Sequence, residues 1–183
     1  MVPITKISGR LGNQMFQFAF LYAHSRDRNI DYYFQDPFYF DDYADEVRAI
    51  FSSDIPKRTD AVAIHVRRGD YINNAFYYDL METDYYKEAM KLFPNEKFIV
   101  FSDDIEWCKK QEVFNDCVFF HGTETEDMNK MASCKGHIIA NSTFSWWGAW
   151  LCPDYPKNKV VAPNNWFADK IERTILPDHW IKI

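Results

Sequence analysis

From residue 61 onward the chain alternates short apolar runs with longer, mixed segments. Ala61 to Val66 is β-branched and apolar around a single histidine, and it ends in the polar burst Arg67-Arg68-Gly69-Asp70-Tyr71. Thr83 to Phe93 predicts a helix, capped by Thr83 with Asp84 in its first turn and stopped by Pro94. Further strands are predicted over Lys97–Phe101, Cys117–Phe120, His137–Ala140 and Lys159–Pro163, with helices over Ile105–Phe114, Thr125–Cys134 and Ser142–Cys152 between them. Short apolar strands separated by helices of about ten residues predict a parallel sheet with helices on both faces. Right-handed crossovers make this a Rossmann-like half. Ligands of such sheets sit beyond the carboxyl ends of the strands. That rule gathers His65 to Asp70, Ser102 to Asp104, His121-Gly122 and Asn141 to Ser145 along one rim.

The first 60 residues carry a different pattern. Ile4 to Ser8 predicts a short strand and Gly9 to Gly12 a turn. Asn13 to Arg28 predicts a helix that is apolar nearly all round, through Met15, Phe16, Phe18, Phe20, Leu21 and Tyr22, and so needs burial on several sides. Asp31 to Asp45 is crowded with Tyr, Phe and Asp, with a turn at Asp36-Pro37, and Asp45 to Phe51 predicts one more short helix. The chain divides on this basis into an N-terminal portion, 1–51, and a Rossmann-like portion, 52–183.

Composition narrows the classes. With 47% hydrophobic and 26% charged residues, the 183-residue chain has globular usage. Aromatic residues stand out at 18%. A net charge of −6 and no basic run beyond two residues argue against a nucleic-acid partner. No charged segment followed by an apolar one marks a signal peptide, and no run approaches the roughly 18 apolar residues of a membrane span. The four cysteines form no C-x-x-C pair, which suits reduced thiols. A soluble, cytoplasmic protein is the expectation, with peripheral membrane association left open.

Chemistry concentrates on the rim. Arg67, at the end of a central strand, is placed to clamp a phosphate or diphosphate. His65, two residues earlier, shares its face, either beside the same ligand or as a satisfied core histidine. Asp103 and Asp104 follow the second strand, either as ribose or base ligands or as a capping pair. Asn141-Ser142-Thr143-Phe144-Ser145 opens a helix after a buried strand, a geometry that offers free backbone N–H groups to an anion. Trp146, Trp147 and Trp150 read as core anchors. Gly9-x-x-Gly12-Asn13 opens the N-terminal helix as either a plain turn or a second phosphate nest. No metal site is expected.

Three segments, Gly9 to Ala19 (GRLGNQMFQFA), His65 to Tyr71 (HVRRGDY) and Ala140 to Trp150 (ANSTFSWWGAW), together resemble the α-1,2-fucosyltransferases, glycosyltransferase family 11. The resemblance implies a GT-B-like fold whose donor-binding half is the Rossmann-like part. It implies an inverting, metal-independent transfer of L-fucose from GDP-fucose to the 2-hydroxyl of a galactoside, with no cofactor, as part of carbohydrate metabolism. Arg67, His65 and Asn13 are the implied catalytic residues. Gly12, Arg68, Asp70, Ser102, Asp103, Asn141, Ser142, Thr143, Phe144 and Ser145 are the implied substrate contacts, with Asp103 and the Ser142–Ser145 turn at the guanosine.

The chain departs from the family between Gly9 and His65, where members carry a longer stretch; the loss is expected around residues 24–31. The shortened half motivates a second function, an inactive donor-half remnant that binds GDP, GDP-fucose or a protein partner. It also predicts that the apolar N-terminal helix packs unusually onto the Rossmann half or forms a homodimer.

Overall fold

Alternation along one strand sets the layers. In β1 (Thr59–Val66) every residue from Ala61 onward is buried. Val62, Ile64 and Val66 join a cluster with Tyr85, Tyr86, Ala89 and Phe93, whereas Ala61 and Ala63 pack with Met131. Successive side chains point to opposite faces of a strand, so β1 is apolar on both. That places it at the centre of a parallel sheet covered on each side.

The computed structural model describes residues 7–26, 37–72, 74, 77–167 and 175–183. Beside β1 lie β2 (Phe98–Ser102), β3 (Val118–Phe120), β4 (Cys134–Ile138), β5 (Lys159–Ala162) and β6 (Ile181–Lys182). All pair in parallel, in the order β3-β2-β1-β4-β5-β6. The chain runs outward from β1 to β3 and then returns to start β4 on the other side of β1. This is the Rossmann order, and the reversal between β1 and β4 opens a crevice at their carboxyl ends. Helices α3 (Tyr85–Lys91) and α4 (Ile105–Cys108) cover the face of Ile64, while α5 (Glu124–Ala132) and α6 (Thr143–Trp150) cover the other. No described helix is long and apolar enough to cross a membrane.

Local chemistry explains where the observed elements depart from the predicted ones. The helix predicted over 105–114 breaks after Cys108, because Gln111 is extended and its amide donates to the Trp107 carbonyl; a 3-10 turn, Glu112–Phe114, follows. β4 begins three residues before its predicted start, at Cys134. Lys135, which looks like a turn residue, places its ammonium between Asp60 (2.9 Å) and Glu96 (2.6 Å). β6 has only two residues, too short to carry an alternation, and is held where Ile183 N–H donates to Ala162. Of the strand predicted over 4–8, Ile7 and Ser8 are not in a strand and the rest lies outside the described residues. So does most of the segment 24–31 and the turn at 36.

Helix α1 (Leu11–Arg26) is the apolar helix of the N-terminal portion, and it packs onto α6. Phe16, fully buried, lies 4.8 Å from the ring of Trp146 and 5.0 Å from that of Trp147. Phe40 stacks on Trp147 and meets Trp150 edge-on, and Phe51 on α2 (Ala44–Phe51) closes the group. Arg48 spreads its guanidinium over Trp150 and Tyr155. Residues from before and after position 51 therefore share one core cluster. Aromatic pairs of this kind contribute about 0.5–1.5 kcal/mol each beyond burial.

A second buried device lies at the far end of α6. His137 is fully buried; its Nε2 sits 2.9 Å from the Met131 carbonyl and its Nδ1 3.3 Å from the Asn158 amide, which itself donates to Ala149. Burial pushes the imidazole down to about 4, below an unfolded value near 6.5. Its contribution to stability is complete above pH 6.5 and is lost as the pH falls through 6.5 toward 4. Urea unfolding followed over that range should show His137→Gln losing a slope of about 1.4 kcal/mol per pH unit relative to the parent. In the same assay at neutral pH, Phe16→Ala should cost roughly 3–5 kcal/mol, whereas Phe18→Ala, at a partly exposed position, should cost under about 1 kcal/mol.

Candidate active site

The crevice at the carboxyl ends of the strands is a cleft of about 440 Å³. Its walls are the loops after β1 to β5 and the turn that opens α1. At its centre the Arg67 side chain, only 8% exposed, is held between two carboxylates. Nη1 donates to Asp103 Oδ2 at 2.9 Å, and Nη2 donates to Asp70. A nearly buried guanidinium without counter-charge would be strongly destabilising, so these pairs are the condition for its placement.

Asp103 is itself fixed from several sides. Its Oδ1 accepts the backbone N–H of Arg68 at 2.9 Å, and its Oδ2 also receives Arg10 Nη1 at 3.4 Å. A Cβ on residue 69 would stand 2.4 Å from that Oδ2, so only glycine lets the carboxylate reach Arg67. Arg10 continues to Glu124 Oε1 at 3.3 Å, joining the α1 turn to the start of α5. The acidic pair after β2 thus splits in function: Asp103 faces the cleft, and Asp104 caps α4 by accepting from Trp107 N–H.

His65 is 4% exposed and borders the cleft, with its ring 5.4 Å from that of Phe144. Burial, with Arg67 and Arg10 adding to it, pushes its pKa down to about 3, so the ring is neutral. Among the described residues its Nδ1 has no hydrogen-bond partner. A buried polar atom in that state costs about 1–3 kcal/mol until something bonds to it.

Two helix N-termini converge at the same cleft. Neither α1 nor α6 carries an acidic residue in its first turn, so both positive ends are uncompensated by side chains there. They meet because residue 12 is glycine: a Cβ there would lie 2.5 Å from the Phe144 nitrogen and 2.6 Å from the Thr143 carbonyl carbon. Thr143 Oγ1 donates to Asn13 Oδ1 at 2.8 Å across the same junction.

The remaining wall is aromatic. Tyr71 and Tyr77 stack with centroids 3.7 Å apart and planes 5° from parallel. The Tyr71 hydroxyl donates to the Asn141 carbonyl at 2.9 Å, and burial raises its pKa, so it stays a neutral donor. Asn141 Nδ2 reaches the carbonyls of Trp166 (3.3 Å) and Tyr78 (3.4 Å).

The structure brings Gly12, Asn13, His65, Arg67, Asp70, Ser102, Asp103, Asn141, Ser142, Thr143 and Phe144 to this cleft. It does not bring Arg68 or Ser145. Arg68 follows Arg67 directly and turns the other way, with its guanidinium 3.3 Å above the Trp107 ring and paired with Asp104. Ser145 is fully buried and bonds to Ala140 and Ser142, shaping the turn into α6. Asp103, expected at a guanosine, is engaged by arginines, and the Asn141 amide is engaged by backbone. Arg10, Tyr77, Glu124, Asp127 and Trp166 line the cleft without having been singled out. For Trp166 the signal was available, since it follows β5 as Asn141 follows β4.

The profile of glycosyl transferase family 11 matches residues 28–183. An α-1,2-colitosyltransferase of Escherichia coli is 37% identical over 82% of this chain, which spans 61% of that protein. The O-antigen biosynthesis glycosyltransferase WbnK of Escherichia coli is 34% identical over 73% of the chain and 48% of its own length. A galactoside α-(1,2)-fucosyltransferase 2 of Rattus norvegicus is 27% identical over 67% of the chain and 39% of its own length. The chain thus covers between two-fifths and three-fifths of these relatives, and the matched region includes the whole β-sheet. Together with the Arg67 cleft at the switch point of that sheet, these matches show that the chain belongs to glycosyl transferase family 11.

Proposed function

We propose that this chain binds GDP-fucose and transfers L-fucose to the 2-hydroxyl of a galactoside, with inversion and without a metal ion. The observation that carries the reading is the nearly buried Arg67 guanidinium in one cleft with the N-termini of α1 and α6. Breaking a sugar–diphosphate bond passes through an oxocarbenium-like state and leaves negative charge on the departing diphosphate. Arg67 and the two helix ends stabilise that charge where it develops. Asp70, whose side chain is 61% exposed, gives up its place on Arg67 to the diphosphate, while Asp103, at 16%, stays and keeps the guanidinium aimed. Neutral His65 lines the same cleft, and Asn13 is held for the donor by Thr143.

Two observations favour narrower alternatives. The 37% identical relative is named for colitose, which makes colitose the competing sugar. The short interval between Gly9 and His65, where the family resemblance implies a longer stretch, favours a donor-binding unit that does not complete transfer.

Calorimetry should find GDP bound more tightly than ADP or UDP, with Arg67→Ala weakening GDP by roughly 30-fold, about 2 kcal/mol, while the far-UV spectrum is kept. Equal affinity for all three nucleotides, or an unchanged Arg67→Ala, would show that the site is misplaced. GDP release from GDP-fucose should accelerate on adding lactose and be unaffected by EDTA. Release indifferent to lactose would favour the donor-binding unit, and loss with EDTA would contradict a metal-free step.

A further inference from the structure

The cleft is chemically uneven on the two sides of Arg67. Beyond β2 and β3 it presents polar side chains, His121, Glu124 and Asp127 among them. Beyond β4 and β5 the lining is aromatic: Tyr77, Trp166 and Phe167, with Tyr71 stacked on Tyr77. The rings belong to two loops, one after β1 and one after β5, yet they are built as one wall. Asn141 fastens both, taking the Tyr71 hydroxyl on its carbonyl and donating its amide to the carbonyls of Trp166 and Tyr78. Trp166 is 5% exposed and Tyr77 half-buried, so most of the wall's surface is packed against the protein.

We propose that this wall seats the acceptor sugar, with the Tyr77 ring stacking on the C–H face of a terminal galactose. The inference rests on the donor reading above. Arg67 marks the diphosphate, and a nucleoside, rich in hydrogen-bond donors and acceptors, finds directional partners on the β2–β3 side. Displacement with inversion brings the acceptor oxygen to the anomeric carbon from the side opposite the departing diphosphate, which leaves the β4–β5 side for the acceptor. The axial 4-hydroxyl of galactose gathers C3–H, C4–H and C5–H on one face, and such a face is the natural complement of an aromatic ring that excludes water.

The test uses the full chain loaded with GDP, lactose as probe, saturation-transfer NMR for lactose and calorimetry for GDP. Tyr77→Ala should weaken lactose by roughly tenfold while GDP affinity stays within about twofold, and Tyr77→Phe should behave as the parent. Parent-like lactose binding by Tyr77→Ala overturns the assignment. So does a parallel loss of GDP and lactose, which would make the wall a nucleobase platform. If the parent binds GDP but not lactose, the acceptor seat falls and the donor site stands. If the parent binds no GDP, both fall.

Discussion

The pairing of Arg67 with Asp103 is the constraint around which the rim is organised. A guanidinium this deeply placed at the end of a central strand needs a carboxylate that is itself immobile. Asp103 meets that need by accepting the Arg68 amide as well, and Gly69 leaves the room for it. The oxygen that holds Arg67 also draws Arg10 from the α1 turn, so one side chain ties β1, β2 and the N-terminal portion together. Under the proposed function, the diphosphate meets a cation whose position is set before substrate binds. Preorganised charge of that kind is what electrostatic stabilisation of a leaving group requires.

Helix α6 links this polar rim to the core. Its first turn borders the cleft, while Trp146, Trp147 and Trp150 anchor the aromatic cluster that holds α1 and Phe40. Because α1 is held along its length by these rings, its opening turn is delivered against the start of α6, where Gly12 permits contact and Asn13 meets Thr143. Core packing and site geometry are therefore the same interaction seen at two ends of one helix pair. A weakened aromatic core would loosen the N-terminal wall of the cleft as well as the fold.

Much of this was legible in the residues. The apolar runs at 61–66 and 97–101 fixed a parallel sheet, and the rim rule collected Arg67, His65, Ser102 and Asn141 before any coordinates. What stayed hidden depends on side-chain direction and on contacts distant in sequence. Adjacent arginines look alike in a sequence, yet β1 sends Arg67 into the cleft and Arg68 onto Trp107. Ser145 resembles an anion ligand until its hydroxyl is seen bonded to Ala140. The break in the helix after Cys108 rests on a Gln111 side chain, and β6 is too short for any periodicity. The Asn141 amide joins the backbone at Tyr78 to that at Trp166, a link with no sequence signature.

The most direct test is a crystal structure of the chain with GDP bound. The diphosphate should lie on Arg67 between the N-termini of α1 and α6, with Asp70 displaced from the guanidinium and Asp103 still bonded to it. A diphosphate bound away from Arg67, or an Arg67 still paired with Asp70 beside bound GDP, would contradict the central role of that arginine.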